Sequence, residues 1–181
     1  VLAAVLPFVQ VLTFGFVYDD HAQIEDNPHL RVWPGIARVF SSDVWSMTDV
    51  DTTSNYYRPL MWLAYSGIFA LFGPKPWAFH LLNLVLHAGV VVVVFLLTRQ
   101  LMRDDRIAAL SALLFAVHPV HVEPVAWIAA TPELAFSLFF ALGFYFYVRD
   151  VPWVALCGFG LALLWKESAI TFLPLLVVYE D

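Results

Sequence analysis

The chain has 181 residues, of which 61% are hydrophobic, 17% aromatic and only 13% charged. Soluble domains are about 45–50% apolar and about 25% charged, so this composition excludes an ordinary water-soluble globule and indicates a membrane protein. The formal net charge of −6 argues against a nucleic-acid partner, which needs a basic surface. The one cysteine, Cys157, excludes an internal disulfide, and we expect it to be a small buried side chain.

Apolar segments follow one another along the chain, and charged residues lie mainly at their ends. We predict a first span at 1–17, a large external loop with interfacial helices at 18–76, and further spans in 77–181. Segment 77–98 has about the 20 residues needed to cross a bilayer core and is the clearest span. Segment 59–73 is short and aromatic, and we expect an interfacial or re-entrant helix there.

The later apolar segments are shorter than a bilayer core normally requires. They can span only where flanking polar residues enter the bilayer or the membrane thins locally. These segments are 107–117, 134–148, 151–165 and 168–179. With the composition, they predict an all-α fold, a polytopic membrane helical bundle.

Basic residues set the expected orientation, because cytoplasmic loops carry an excess of Lys and Arg. The arginines that mark the cytoplasmic side are Arg99, Arg103, Arg106 and Arg149. The turn between segments 107–117 and 134–148 then faces the non-cytoplasmic side. If 59–73 does not cross, four polar clusters share that external face. They are Asp19-Asp20, Arg58, His118 to Glu123, and Lys166-Glu167.

Asp19 and Asp20 directly follow the first apolar segment. Two adjacent carboxylates at a membrane surface repel each other, and partial desolvation favours protonation of at least one. That property suits a general base or a metal ligand. The alternative is a solvated helix end that marks the membrane interface.

His118, His121 and Glu123 fall within six residues of one another. Histidines three residues apart share a helical face, so the cluster could hold a divalent metal, although Pro119 interrupts a continuous helix. Two other interpretations stay open. One is a metal-free role in positioning or proton transfer, and the other is a pair of hydrogen-bonded structural histidines.

Two further clusters of basic residues lie at segment ends. Arg58 would bind a phosphate bidentately, or its side chain would extend to lipid headgroups. Lys166 and Glu167 either neutralise each other or present a phosphate-binding lysine. A separate polar stripe on the 77–98 helix is expected to contact neighbouring helices and to be structural. It consists of His80, Asn83 and His87.

The order of several motifs resembles a known family. The motifs are YDD, IEDNPHL, YYRPL, FHLLNLVLHA, LFAVHPVHVEPVAWIAATPELAFSLFF and WKESAITFLPLLVVYE. They resemble the membrane part of the transmembrane-and-tetratricopeptide-repeat O-mannosyltransferases and their bacterial relatives, which belong to the GT-C class of glycosyltransferases. The resemblance covers nearly the whole chain, and its specific parts are HPVHVE and WKE.

This resemblance implies transfer of a mannose-like sugar, with inversion, from a polyprenyl-phosphate donor to a protein Ser/Thr hydroxyl or another acceptor. The reaction would occur on the non-cytoplasmic face of a bacterial inner membrane or of the endoplasmic reticulum. The family's catalytic carboxylate lies in the first external loop, here Asp19 or Asp20. The basic residues that the resemblance matches to donor-phosphate binding are Arg58 and Lys166. We also expect His118, His121, Glu123 and Glu167 to take part in donor or substrate binding. A divalent metal, if any, would be held by His118, His121 and Glu123.

The resemblance also implies that 1–181 is a partial GT-C membrane catalytic module. We expect a fragment, inactive alone, that lacks the remaining spans and any tetratricopeptide repeats. The competing interpretations are a transporter subunit with a proton relay inside its spans and a membrane assembly protein without chemistry. The polar residues cluster at segment ends, which favours an interfacial site over a relay.

Overall fold

The computed structural model describes residues 1–32, 35–50 and 54–181. These residues form α-helices joined by 3-10 turns, and the described ranges contain no β-strand, so the prediction of an all-α fold is confirmed. Residues 33–34 and 51–53, which belong to the predicted external loop, lie outside the described ranges.

The α-helices of the described ranges are numbered in chain order. They are α1 (Leu2–Val5), α2 (Pro28–Arg31), α3 (Ile36–Ser41), α4 (Pro59–Phe72), α5 (Pro76–Met102), α6 (Asp105–Val117), α7 (Val122–Ala126), α8 (Thr131–Val148), α9 (Pro152–Trp165) and α10 (Phe172–Glu180). The 3-10 helices are Leu6–Thr13, Trp45–Met47, Pro119–His121, Ile128–Ala130 and Glu167–Thr171, and a π-helix covers His21–Glu25.

Local sequence explains where many of these helices begin and end. Proline is the first residue of α2, α4, α5 and α9, a position where its missing N–H costs nothing and its fixed φ suits a helix. The side chain of Asp104 caps α6 by accepting the N–H groups of Arg106 and Ile107. Gly73 ends α4 at φ 71°, a left-handed conformation that glycine adopts at little cost.

Among the described residues, two helical stretches are long and apolar enough to cross a membrane, Pro76–Met102 and Ile128–Val148. A third crossing is available if α6 and the bent segment after it, Pro119–Ala126, form one span with a 50° bend. The N-terminal helix ends at Thr13, short of the predicted 1–17. Gly15 and the poorer geometry of a 3-10 helix both disfavour its continuation.

α5 is the central helix, and it packs against α6, α8 and the N-terminal helix. α8 and α9 approach closely because two glycines face each other. A Cβ at Gly158 would lie 2.8 Å from the Cα of Gly143. The prediction that Cys157 is buried is wrong: it is exposed, beside the narrow face of small residues through which α9 contacts α8. An apolar side chain can lie on such an outward face because the solvent around a membrane helix is lipid.

Candidate functional site

A left-handed residue turns the chain immediately before the two predicted catalytic carboxylates. Residues 14–17 are non-helical, and Tyr18 then adopts φ 48°, a conformation that costs a non-glycine residue about 1–2 kcal/mol. The N–H of Asp20 closes the turn by donating to the carbonyl of Val17 at 3.0 Å. Beyond the turn, Asp19 and Asp20 lie in different environments.

Asp20 is fully buried, with an exposed fraction of 0%. Its Oδ2 accepts the N–H of Val17 at 3.0 Å, and its Oδ1 accepts the N–H of Ala129 at 2.8 Å. Burial raises the pKa of Asp20, although these two hydrogen bonds oppose the rise. Catalytic bases often have a raised pKa, but Asp20 exposes no surface to a substrate and both of its oxygens are already engaged.

Asp19 is only half-buried, and it lies at the wall of an open cavity of about 910 Å³. Segment 13–19 supplies one wall and segment 122–127 supplies the other. The carboxylates of Asp19 and Glu123 line this cavity from opposite walls. Most of the other lining residues are apolar or aromatic, among them Phe14, Val17, Val122, Ala126 and Trp127, and Thr13 adds a hydroxyl group. The volume lies in the range of pockets that bind small molecules, about 300–1,000 Å³.

Buried side chains from α4, α5 and α8 hold the second wall in place. The Asn83 Nδ2 donates to the carbonyl of Trp127 at 3.0 Å, and the Thr131 hydroxyl donates to Asn83 Oδ1 at 2.6 Å. The Tyr65 hydroxyl donates to the carbonyl of Ile128 at 2.8 Å. Asn83 therefore contacts a neighbouring segment, as the polar stripe predicts, and that segment is a wall of the cavity.

The two histidines predicted for the site lie at the helix break that precedes this wall, and neither lines the cavity in the described part of the chain. The Nδ1 of His118 accepts the N–H of Val120 at 3.2 Å and so caps the short helix. The ring of His121 packs against Phe115, with centroids 4.2 Å apart. Both histidines therefore have structural contacts of their own.

The predicted metal ligands do not converge. The ligand atoms of His118, His121 and Glu123 do not all lie within 4.8 Å of one another. Among the described residues, the set that meets this distance is elsewhere, at the π-helix and the residue that follows it. It is His21, Glu25 and Asp26, all exposed. Exposed groups of this kind are common without an ion, so we assign a metal to neither set.

The predicted phosphate-binding residues form a second cluster. Arg58 donates to both oxygens of Glu167, with Nη2 2.9 Å from Oε1 and Nε 3.4 Å from Oε2. Lys166 forms an ion pair with Glu133 at the start of α8. The alternative in which Lys166 and Glu167 neutralise each other is wrong. Adjacent residues point in different directions, and each finds its partner on another segment.

The two clusters approach each other through Tyr65. Its buried hydroxyl lies within electrostatic reach of both Asp20 and Arg58. In the described part of the chain, neither Arg58 nor Lys166 lines the cavity that contains Asp19. The structure therefore groups Asp19 with Glu123, and it groups Arg58 with Lys166 and Glu167 outside that cavity.

Several residues of the site carry no sequence signal strong enough to single them out. Trp127 and Phe14 line the cavity but stand among many other aromatic residues. Glu133 could have been noticed as a lone carboxylate at the start of an apolar segment, where a cationic partner is expected. The left-handed backbone of Tyr18 has no sequence signal, because glycine or asparagine is usual at such positions.

The helices and the site define a class: a helical membrane protein with a carboxylate-lined cavity beside its apolar helices. Residues 58–179 match the family described as dolichyl-phosphate-mannose-protein mannosyltransferase. That match covers more than half of the chain, and the chain belongs to this family. The resemblance found in the sequence motifs is thereby confirmed.

Several curated relatives are similar over most of the chain. Human protein O-mannosyl-transferase TMTC3 is 37% identical over 177 residues, which cover 92% of this chain and 19% of the relative. Mouse protein O-mannosyl-transferase TMTC2 is 31% identical over 186 residues, covering 96% and 22%. Mouse protein O-mannosyl-transferase TMTC1 is 33% identical over 206 residues, covering 98% and 22%. The chain thus spans about a fifth of the length of these relatives. No solved structure matches the chain significantly.

Proposed function

We propose that the full-length protein is a glycosyltransferase that moves mannose from a polyprenyl-phosphate carrier to a Ser or Thr hydroxyl of a protein. The observation that carries this proposal is the cavity that Asp19 and Glu123 line from opposite walls, in a chain of this family. The names of the relatives support the choice of a mannosyl donor and a protein acceptor.

Asp19 is the general base in this proposal. It would accept the proton of the acceptor hydroxyl as the hydroxyl oxygen attacks the anomeric carbon. The new carbon–oxygen bond forms while the bond to the phosphate oxygen breaks, and the carrier leaves as polyprenyl phosphate. A single displacement of this kind inverts the anomeric centre. Asp19 is preferred to Asp20 because Asp19 lines the cavity and Asp20 is buried.

Glu123 and Trp127 would bind the sugar or the acceptor from the opposite wall. A carboxylate accepts strong hydrogen bonds from hydroxyl groups, and an indole offers a flat apolar surface with a polar edge. His118 and His121 would act indirectly, without contacting the substrate. Their contacts fix the helix break that precedes the second wall.

Within the described ranges, Arg58 and Lys166 do not line the cavity that contains Asp19, so the proposal requires the site to rearrange when the donor binds; both would then stabilise the negative charge that develops on the departing phosphate. A guanidinium suits this task because it can bind two phosphate oxygens at once. Both side chains are more buried than their carboxylate partners: Arg58 is 15% exposed against 49% for Glu167. The phosphate would therefore compete with Glu167 for Arg58, and Glu167 would keep the guanidinium oriented between turnovers.

A membrane location suits the carrier. The cavity lies beside apolar helices, so a polyprenyl chain would reach it laterally from the lipid. We propose that the cavity opens on the non-cytoplasmic face, with α4 as an interfacial helix and the two long apolar stretches, Pro76–Met102 and Ile128–Val148, crossing the bilayer. At about 1.5 Å per residue, a helix of the length of α4 rises only about 21 Å, less than the core thickness of about 30 Å.

The donor class is tested with the full-length protein in lipid nanodiscs and a Ser/Thr-containing acceptor peptide. One reaction receives radiolabelled dolichyl-phosphate mannose, and another receives labelled GDP-mannose. The proposal expects label in the peptide from the lipid donor only. Label in the peptide from GDP-mannose, with none from the lipid donor, would contradict the proposal. The reactions are repeated with acceptor proteins extracted from membranes, and the absence of label from both donors there would also contradict it.

A further inference from the structure

We propose that Asp20 is a positioning residue: its buried carboxylate ties the two walls of the cavity together and thereby fixes the direction of Asp19. The tie itself is a structural claim. Its catalytic consequence rests on the function proposed above.

The two hydrogen bonds of Asp20 connect different walls. Val17, which donates to Oδ2, belongs to the first wall. Ala129, which donates to Oδ1, lies two residues after the end of the second wall and 109 residues after Asp20 in the chain. One side chain without exposed surface therefore joins two segments that are remote in sequence and face each other across the cavity.

Ala129, the residue near the second wall that binds Asp20, is itself held in place by its neighbours. Ala129 lies between two residues whose surroundings are fixed by buried hydrogen bonds. Tyr65 donates to the carbonyl of Ile128, and Thr131 at the start of α8 donates to Asn83. Because these partners come from α4, α5 and α8, the second wall is part of the helix scaffold and Asp20 attaches the first wall to it.

The first wall needs such an attachment. Tyr18 is 86% exposed and adopts a left-handed backbone that an aromatic residue disfavours. Strained residues of this kind persist only when their surroundings hold them in place. The bonds from Asp20 to Val17 and Ala129 enclose Tyr18 and Asp19 between two fixed points.

A carboxylate is the group that this arrangement requires. Both oxygens of an ionised aspartate are acceptors, and here each meets an N–H donor. An asparagine at this position would keep one acceptor oxygen, but its NH2 group would face the other N–H. Asp20→Asn should therefore break one bond of the tie with almost no change in shape.

Residue-resolved hydrogen exchange on the full-length protein in nanodiscs tests the tie without any sugar donor. In the wild type, the N–H groups of Val17 and Ala129 should exchange at least about tenfold more slowly than the N–H of exposed Tyr18. In Asp20→Asn, at least one of the two should exchange about tenfold faster. In Asp19→Asn, the matched control, both should stay as in the wild type. If Asp20→Asn does not fold, the wild-type exchange rates of Val17 and Ala129 still test whether these two N–H groups are protected.

Transfer kinetics on the same variants separate positioning from chemistry. Asp20→Asn should lower kcat about tenfold to a hundredfold with KM for the donor changed less than about threefold, since a misplaced base loses rate more than binding. Free exchange at Val17 and Ala129 in the wild type would overturn the inference. So would an Asp20→Asn variant that loses all transfer with exchange unchanged. Faster exchange in Asp20→Asn would support the hydrogen bonds of Asp20 to both walls. If Asp19→Asn also kept full transfer activity, Asp19 would not be the base, and only the structural part of the inference would be supported.

Discussion

Arg58 and Glu167 form a two-point ion pair between the start of α4 and the junction of α9 and α10, with the shorter contact at 2.9 Å. The pair joins residues 109 positions apart in the chain. It therefore connects the start of α4 to the later helices, and it places a guanidinium, which can bind phosphate, beside a carboxylate that can be titrated.

The ion pair should give the protein an acid-sensitive contribution to stability. Burial alone would raise the pKa of Glu167, but the hydrogen bond and charge of Arg58 outweigh it, so the pKa is lowered from the ordinary value of 4.5. A lowered pKa means that ionised Glu167 stabilises the fold at pH values above about 4.5 and that this contribution is lost as the pH falls through the lowered value. Thermal unfolding in detergent should show a lower Tm for Glu167→Gln than for the wild type at pH 7. The difference should shrink steadily below pH 4.5, and a pH-independent difference would contradict the assignment.

The glycine contact between α8 and α9 should be intolerant of a single methyl group. In Gly158→Ala the new Cβ would meet the backbone of Gly143 at 2.8 Å, so the helices must separate, and we expect a loss of about 1–3 kcal/mol. Gly160→Ala is the matched control on the same helix. Its Cβ meets nothing within 4 Å, and alanine favours a helix over glycine by about 1 kcal/mol. Denaturant unfolding of the two variants checks this, and equal stability would show that the helices do not pack as described.

The turn at Tyr18 should tolerate glycine and reject a β-branched residue. Tyr18→Gly removes a left-handed strain of about 1–2 kcal/mol, so its thermal stability should equal or exceed that of the wild type. Tyr18→Val keeps a side chain that strongly disfavours φ 48°, and its Tm should fall. If valine were tolerated as well as glycine, residue 18 would not be left-handed in the folded protein.

The polar network under the second wall should be important for both folding and transfer. Asn83→Leu leaves the carbonyl of Trp127 without its amide donor, which costs about 1–3 kcal/mol for a buried group left unsatisfied, while the Thr131 hydroxyl keeps the carbonyl of Ile128 as an acceptor. Thr98→Val, further along α5, has no described side-chain hydrogen bond to lose and serves as the control. Unfolding free energies in detergent should separate the two variants, and a wild-type value for Asn83→Leu would show that the network does not support the wall.

Local patterns were sufficient to predict the helices and the ends where polar residues gather. The long apolar run of α5 and the prolines at helix starts need only short-range rules. The end of the N-terminal helix at Thr13 cannot be predicted from these patterns, since hydrophobicity alone does not show where the chain becomes extended.

The pairing of site residues could not be read from the sequence. Asp19 and Asp20 are adjacent and identical, and what distinguishes them is the hydrogen bond of Asp20 to a backbone N–H 109 residues away. Lys166 and Glu167 are adjacent in sequence, which suggests an ion pair between them. In the folded chain Lys166 pairs with Glu133 and Glu167 pairs with Arg58. Long-range contacts therefore decide the roles, while the sequence supplies the candidates.

The most direct test of the proposed chemistry is the initial rate of mannose transfer by Asp19→Asn in the full-length protein, with dolichyl-phosphate mannose as donor. Folding is verified by unchanged exchange at Val17 and Ala129, and Glu25→Gln, an exposed carboxylate outside the cavity lining, is the control. A general base contributes about 10²–10⁴-fold to rate, so Asp19→Asn should lose at least about a hundredfold while Glu25→Gln keeps the wild-type rate. A folded Asp19→Asn variant that transfers mannose within about twofold of the wild-type rate would contradict the assignment of Asp19 as the base.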